Sequence, residues 1–464
     1  MSTDAGAATP RPPGPLSRQY LEITLAILAL VTVVAFESMA VSTAMPQVAR
    51  DLHSVRGYGL AFSVMLTAQL LGIVLAGVWT DRRGPLPGTF AGQLLFAAGS
   101  ALCGFAQNYP SFLLGRAITG LGGGLLVVMM YVIAARMYPD AIRPRLFTFV
   151  SAAWVLPSLA GPSIAAWMTQ AHSWRWVFWC VVLPTIITWF FLMRGRRKVD
   201  TTSLELAVSH RDQDAHTKAA WFGLALALAA GAVQLGTTAS DHTWSRWDLV
   251  SAVGLVGVIL SAPRLVPAGT WLMRHGLPSV MLSRALLSGA FFAGVSFVPL
   301  LIATVHHRRV IVAGILLALG SIGWAIGAWW QGRDNLSLAR STFITLGGVM
   351  LTIGFGLMAL LTFLGWNPWL LALPLIFCGL AMGLGVTTTT VLALEMVVEE
   401  EHGETSSALQ IADVLGSVLG IAGVTAAFAI WHQRGHDSWL FAGMYAVLAA
   451  LAALVILAGQ RIRT

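Results

Sequence analysis

The chain has 464 residues, of which 57% are hydrophobic and only 10% charged, and its mean hydropathy is +0.76. A water-soluble domain has no core large enough to hide that much apolar surface, so the composition excludes one and points to a polytopic membrane protein. The net charge of +8 does not call for a nucleic-acid partner, because basic residues gathered on the cytoplasmic side of a membrane protein account for it.

From Met1 to about Arg18 the chain is rich in Pro, Ala and Gly and reads as a disordered cytoplasmic tail, 1–19. The apolar run after it is too long for a signal peptide. A requirement of about 20 apolar residues per crossing places helices at 20–45, 58–80, 88–107, 110–136, 146–170 and 176–193, an N-terminal six-helix bundle over 20–193. A cytoplasmic linker, 194–218, carries Arg194, Arg196, Arg197 and Lys198. Two linker transmembrane helices follow at 219–238 and 249–268, then a second cytoplasmic linker, 269–284. Six further spans at 285–304, 310–331, 341–364, 369–396, 405–431 and 439–459 make a C-terminal bundle over 285–459, and 460–464 forms a cytoplasmic C-terminus. The expectation is an all-α fold with fourteen transmembrane helices, two six-helix bundles with an extra helix pair between them.

With the N-terminus inside, cytoplasmic segments collect 20 basic residues and the opposite side 7, which supports two cytoplasmic termini. Of the 28 basic residues 26 are arginine, a compositional bias of GC-rich bacterial genomes, so a bacterial inner membrane is the expected location. Gly77, Trp79 and Arg83 recur in spacing as Gly327, Trp329 and Arg333, where a six-plus-six internal repeat would put them.

Within the first span, Glu37 is the lone ionisable residue between Ile23 and Met45. A carboxylate there costs about 2.5–3.5 kcal/mol on insertion scales, so it should face a bundle interior or a wet cavity and have a partner. It either exchanges protons or fixes packing through a hydrogen bond. Arg116 cannot readily shed its proton. It either pairs with a carboxylate or carbonyl inside the membrane, lowering the proton affinity of an acid beside it, or snorkels to a headgroup. Gly120, Gly122, Gly123 and Gly124 behind it read as helix-packing residues. In the fifth span Pro157 and Pro162 flank Gly161 and remove backbone donors, which suits a kinked, closely packed helix. Asp413 lies about 14 Å beyond the polar loop at Glu399–Glu404, as a second protonation site or an interhelical hydrogen bond, with Gly416 and Gly420 on a small-xxx-small face. Glu395 reads as a solvated boundary acid. Cys103, Cys180 and Cys378 have no paired or metal-like spacing and read as packing residues. His306, His307, His432 and His436 fall in outer loops without metal-ligand company, as solvated surface.

Several of these stretches resemble the major facilitator superfamily. Gly77-Val78-Trp79-Thr80-Asp81-Arg82-Arg83-Gly84 is similar to its loop signature G-x-L-a-D-r-x-G, matching at Gly77, Asp81, Arg82 and Gly84, with Trp79 in place of the leucine. Arg116 and Gly120 match its proton-linked motif, with Thr119 in place of glutamine. Gly161-Pro162 match its antiporter motif, in which Pro157 stands for the first glycine. Glu37-Ser38-Met39 through Ala44-Met45-Pro46 resembles the first-helix motif of the fourteen-span drug:proton antiporters, and Trp174-Arg175-Trp176-Val177-Phe178 resembles their entry to the sixth helix, an interfacial anchor.

The resemblance implies an alternating-access secondary transporter, not an enzyme, that exports amphipathic or hydrophobic small molecules in exchange for protons and needs no cofactor or metal. It implies proton coupling at Glu37, Arg116 and Asp413, and a conformational latch of Gly77, Asp81, Arg82, Gly84 and Arg136 near the start of the eleventh core helix. Phe36, Trp154 and Gln410 are the expected cavity contacts, chosen for apolar and aromatic surface. The expected partners are small-molecule or lipid-like substrate, protons and the bilayer, and the expected state is a monomer. A lipid or hydrophobic-metabolite carrier of the same fold is the alternative. A membrane-embedded enzyme or receptor would need a nucleophile-base constellation or readout domain that the chain does not offer.

Overall fold

The structure is a computed structural model that describes residues 14–139, 142–206, 213–239, 246–333, 339–398, 402–432 and 437–462, a few side chains within the helices excepted. Among the described residues there are fourteen α-helices: α1 (Leu21–Asp51), α2 (Leu60–Arg83), α3 (Pro85–Phe105), α4 (Tyr109–Met137), α5 (Arg143–Ala171), α6 (Arg175–Leu206), α7 (Gln213–Ala239), α8 (Arg246–Ser261), α9 (Leu277–Thr304), α10 (Val310–Gln331), α11 (Arg340–Phe363), α12 (Ala372–Glu395), α13 (His402–Trp431) and α14 (Asp437–Gln460). Among the described residues twelve are long and apolar enough to cross a membrane; the other two are α5, a continuous helix with Pro157 and Pro162 inside it, and α7, whose described apolar stretch is Trp221–Gly236. The expected count of fourteen spans is therefore matched in helices but met by only twelve on apolarity.

Three boundaries differ from the sequence reading. The first helix runs on through Pro46 to Asp51. The sixth continues through the charged run to Leu206, so the first part of the expected linker is helix; no proline stops it after Pro184, and arginine and lysine are good helix formers. Helix α9 starts at Leu277, after Gly276 at φ 82° and with Pro278 in the first turn, which puts Arg284 inside a helix and not in a cytoplasmic linker.

The two halves repeat one another in packing. Within α1–α6, α1 packs on α5 and α6, α2 on α4, and α3 on α4 and α6; in α9–α14 the same pairings recur as α9 on α13 and α14, α10 on α12, and α11 on α12 and α14. That recurrence is the architecture the Gly/Trp/Arg echo hinted at. We call the side from which α1 starts the near face and the other the far face. The halves meet along two seams, α2 against α13 and α5 against α10. The extra pair α7–α8 covers only the first: Leu226 and Ala230 of α7 join Leu70 and Ile73 of α2 and Leu415 and Val418 of α13, and Gln234 Nε2 donates to Thr67 Oγ1 at 2.9 Å.

At the far face the halves are closed on each other. Tyr58 Oη donates to the Ser296 carbonyl at 2.7 Å, its ring lies 5.2 Å from Phe297, and Phe297 lies 5.7 Å from Phe428. His432 stacks on Phe428 at 4.7 Å and pairs with Asp437 at 2.9 Å. His306 has a buried Nε2 without a partner, and burial together with Arg308 and His307 pushes its imidazole below the usual range. Neither of these two histidines is the fully solvated residue expected of an outer loop, since His306 is half-buried and His432 is held by Phe428 and Asp437. His436 lies outside the described residues.

Helix contact inside the halves depends on glycine. A Cβ on Gly120 would sit 2.1 Å from the Met65 carbonyl and one on Gly124 2.1 Å from the Gln69 carbonyl, while Gly122 meets the backbone of α3 at Phe96. In hydrocarbon such backbone approach carries much of the association energy, since lipid offers no hydrophobic drive between helices. Gly124→Val should therefore cost about 3 kcal/mol by overpacking, read as a lower thermal midpoint in detergent; an unchanged midpoint would show that α2 and α4 can separate freely. Near the end of α2, by contrast, a methyl on Gly77 would meet nothing within 4 Å among the described residues. Gly84 is needed for a different reason: at φ 73° it is the single residue between α2 and α3, with Pro85 opening the next helix.

Candidate functional site: two ion pairs at opposite depths

Glu37 lies 16 residues into α1 from Leu21, about 24 Å from the near-face end at 1.5 Å per residue. Arg116 lies 7 residues into α4 from Tyr109, about 10 Å from the far-face end. The helices bring them together: Arg116 Nη1 donates to Glu37 Oε1. The same guanidinium donates through Nε to the Ala61 carbonyl at 3.2 Å and through Nη2 to the Met65 sulfur at 2.7 Å. Glu37 is 0% and Arg116 2% exposed, so Arg116 does not snorkel to a headgroup. Glu37 Oε2 is buried with no hydrogen-bond partner. All these partners belong to the N-terminal half, so the pair sits inside that bundle and is closed to solvent in this conformation.

The antiporter-like stretch of α5 connects this pair to the other half. A Cβ on Gly161 would lie 3.6 Å from the Phe36 ring and 3.7 Å from Met39, on either side of Glu37 in sequence. The neighbouring Pro162 carbonyl meets Gly314 of α10, 2.8 Å from where a methyl would be, and Ser321 Oγ of α10 donates to the Ser158 carbonyl at 2.9 Å. Pro157 is buried in the same helix. Thus Phe36, expected as a cavity contact, packs against α5 beside the acid. Trp154, on α5, is 36% exposed, and Gln410, on α13, is half-buried.

A second pair was only half legible in the sequence. Asp413, 11 residues into α13 from His402, is held by Arg284, whose Nε donates to its Oδ1 at 2.6 Å, and by Ser288 Oγ, which donates to the same oxygen. Arg284 Nη1 also donates to the Val386 carbonyl at 2.8 Å and the Thr390 hydroxyl at 3.2 Å, both on α12. Arg284, counted with a cytoplasmic linker, is thus a second basic residue in a helix interior beside Arg116. The signal that could have found it was the apolar run continuing N-terminal to it, from Leu277. Gly416 and Gly420 let α13 lie against α9, with methyl positions 2.0 Å and 2.3 Å from the Ala285 and Gly289 carbonyls.

The side chains of Asp81, Arg82 and Arg136 lie outside the described residues, and so does any contact the latch makes through them. Glu395 forms a half-exposed pair with Arg340 at 3.4 Å, worth little at such a boundary. Trp174, expected as an anchor at the lipid interface, is instead 1% exposed and donates from Nε1 to Asp51 at 2.9 Å, tying α6 to the end of α1; Trp176 is the exposed member, at 49%.

The family model of the Major Facilitator Superfamily matches residues 27–421. The chain is 24% identical over 412 residues to Multidrug resistance protein 3 of Bacillus subtilis (strain 168), covering 86% of this chain and 78% of that protein. It is 23% identical over 419 residues to Multidrug transporter protein MdtP of the same organism, covering 88% and 75%. Among solved structures, a POT family transporter in complex with 5-aminolevulinic acid superposes with a TM-score of 0.71 at 14% identity over 96% of each chain. A D-xylose-proton symporter superposes with a TM-score of 0.61 at 15% identity, over 93% of this chain and 96% of that one. These structural likenesses speak for the fold alone.

Proposed function

The chain belongs to the major facilitator superfamily, and we propose that it is a proton-coupled exporter of amphipathic small molecules, working as a monomer by alternating access in a bacterial inner membrane. The near face is then cytoplasmic, with both termini on it. We further take α5 and α7 as spanning, which gives fourteen crossings: α5 has 29 residues, about 43 Å of helix, and packs along α1 and α10.

The observation that carries the reading is the enclosed Glu37–Arg116 pair lying one helix away from a seam between the bundles. As it stands the pair is neutral. The pair is closed to water here, so exchange at Glu37 needs a conformation that admits water or parts it from Arg116. Rocking of α10 against α5 at Gly314 and Pro162 moves the surface on which Phe36 and Met39 rest, and so couples bundle motion to the acid between them. Asp413 offers a second titratable group in the other bundle. Export as the direction is supported by the Gly161-Pro162 stretch and by the multidrug transporters among the relatives.

The test is transport by the purified chain in proteoliposomes, with ethidium as cargo and a pH-sensitive dye enclosed. A pH gradient should drive ethidium uphill, and an ethidium gradient should move protons the opposite way. Ethidium movement indifferent to pH would make the protein a facilitator, and movement of labelled phospholipid with none of ethidium would replace drug-like cargo by lipid.

A further inference from the structure

The extra pair α7–α8 is attached to the two halves in different ways. On the α2 side, Gln234 Nε2 donates to Thr67 Oγ1 at 2.9 Å, with Gln234 1% and Thr67 8% exposed. Val74 of α2 fills the space left by the absent side chain of Gly223 on α7, where a methyl would lie 2.3 Å from Val74 Cγ2. On the α13 side the meeting residues are apolar: Leu226 and Ala230 share one cluster with Ile411, Val414, Leu415 and Val418. Helix α8 is bound to α7 by close approach, since a methyl on Gly254 would lie 2.7 Å from the Ala229 carbonyl and one on Gly236 2.6 Å from the Trp247 carbonyl. The two helices therefore move as one piece.

The attachments differ in what it costs to break them. A hydrogen bond between buried side chains has no water to replace it in hydrocarbon, so parting Gln234 from Thr67 strands two polar groups. Apolar packing against α13 can be exchanged for lipid tails or for a shifted apolar neighbour at little cost, because lipid is as apolar as leucine. When the halves part, the interface that slips is α7 on α13. The polar tie also sits towards the far-face ends of α7 and α2, where the halves must separate for that face to open. At the near face the chain leaving α8 stays with the C-terminal half: Val266 packs with Ala285 of α9 and Ala412 of α13, and Arg461 Nη1 donates to the Met273 carbonyl at 3.3 Å.

We propose that α7–α8 is a cover carried by the N-terminal half, which slides over α13 as the bundles rock and keeps the α2–α13 seam closed to lipid through the cycle. This rests on the alternating access of the proposed function and on neither its proton nor its cargo.

The experiment reads distances between nitroxide labels by double electron–electron resonance on the full chain in nanodiscs, with Cys180→Ser removing the half-buried native thiol. Labels go on Gln107→Cys of the N-terminal half and His307→Cys of the C-terminal half, both exposed at the far face, and on Leu249→Cys of α8, 67% exposed. Gly59→Trp wedges the far face open, since even a methyl there would lie 1.8 Å from Thr425 Oγ1; Gly59→Ala is the milder wedge should the tryptophan variant not fold. Neither gradient nor cargo is present, so a failure of proton coupling leaves the result intact, and a failure here leaves proton-driven transport standing. With the wedge, the distance from Gln107 to His307 should lengthen by more than about 2 Å, the scale of a domain rearrangement. The distance from Leu249 to His307 should lengthen with it, and that from Leu249 to Gln107 should not change. A single nitroxide on Val414→Cys, 6% exposed, should stay shielded from oxygen dissolved in the bilayer with and without the wedge, unlike one on Val256→Cys, 55% exposed. Lengthening from Leu249 to Gln107 overturns the proposal, as does a Val414 label that becomes as accessible as the Val256 one. No lengthening from Gln107 to His307 with either wedge overturns it too, because the seam would then have no motion for a cover to follow.

Discussion

Proteoliposomes carrying Glu37→Gln should accumulate no cargo against its gradient, while cargo exchange without a pH gradient persists. One pH unit across the membrane is worth about 1.36 kcal/mol per proton moved, enough to hold about a tenfold cargo gradient if one proton is exchanged for one monovalent cation such as ethidium, an exchange that moves no net charge. The amide cannot bind and release a proton, so that ratio should fall to one. It does keep an acceptor for Arg116 at nearly the same place as Glu37 Oε1, which is why binding and exchange should survive. The two readouts separate loss of coupling from loss of fold. Uphill accumulation at the unmodified level would remove Glu37 from the mechanism and return it to the role of a packing hydrogen bond.

The second large effect concerns stability. Arg116→Leu leaves the Glu37 carboxylate with no partner among α1, α2 and α4 and should cost about 3–5 kcal/mol, the usual penalty for stranding one member of a buried pair. Glu37→Leu with Arg116→Leu removes both charges and should recover most of that loss, because the desolvation both paid on burial disappears with them. Thermal unfolding of the single and double variants in one detergent measures the coupling. If the two single losses simply added in the double variant, the ion pair would be energetically silent.

Much of the site could be read from the chain alone. An acid within the 23-residue, mostly apolar stretch from Ile23 to Met45, and an arginine within another span, demand partners in hydrocarbon, and one economical solution is for each to find the other. The sequence left a carbonyl partner or a headgroup open for Arg116 as well, and the structure settles it on Glu37. Gly120 and Gly124 were legible as contact points because small residues at a spacing of four mark one helix face. Arg284 was not legible in the same way: positively charged residues near a helix end ordinarily belong to the cytoplasmic boundary, and nothing local to Leu277–Arg284 says that α12 will supply a carbonyl and two hydroxyls to receive it. Which glycines touch backbone was equally hidden, since Gly77 and Gly327 occupy matching positions in the two halves, yet only Gly327 has a neighbour, the Leu380 carbonyl 2.6 Å from its methyl position.

By itself, then, the order of residues determined that this protein lives in a bilayer, that it is built of long helices in two related sets, and that Glu37 and Arg116, wherever they are buried, need a polar or charged partner, because the cost of burying a charge in hydrocarbon is fixed by chemistry and is the same in any fold. The tertiary structure decided which partners answer: that Glu37 turns into its own bundle, that α5 stands between that acid and the other half through Gly161 and Pro162, that α7 covers one seam and leaves the other bare, and that Asp413 keeps one oxygen open while Arg284 rests on α12. These depend on which helix faces meet across distances of a hundred residues or more of chain, such as the 129 between Arg284 and Asp413, and no local pattern carries that information.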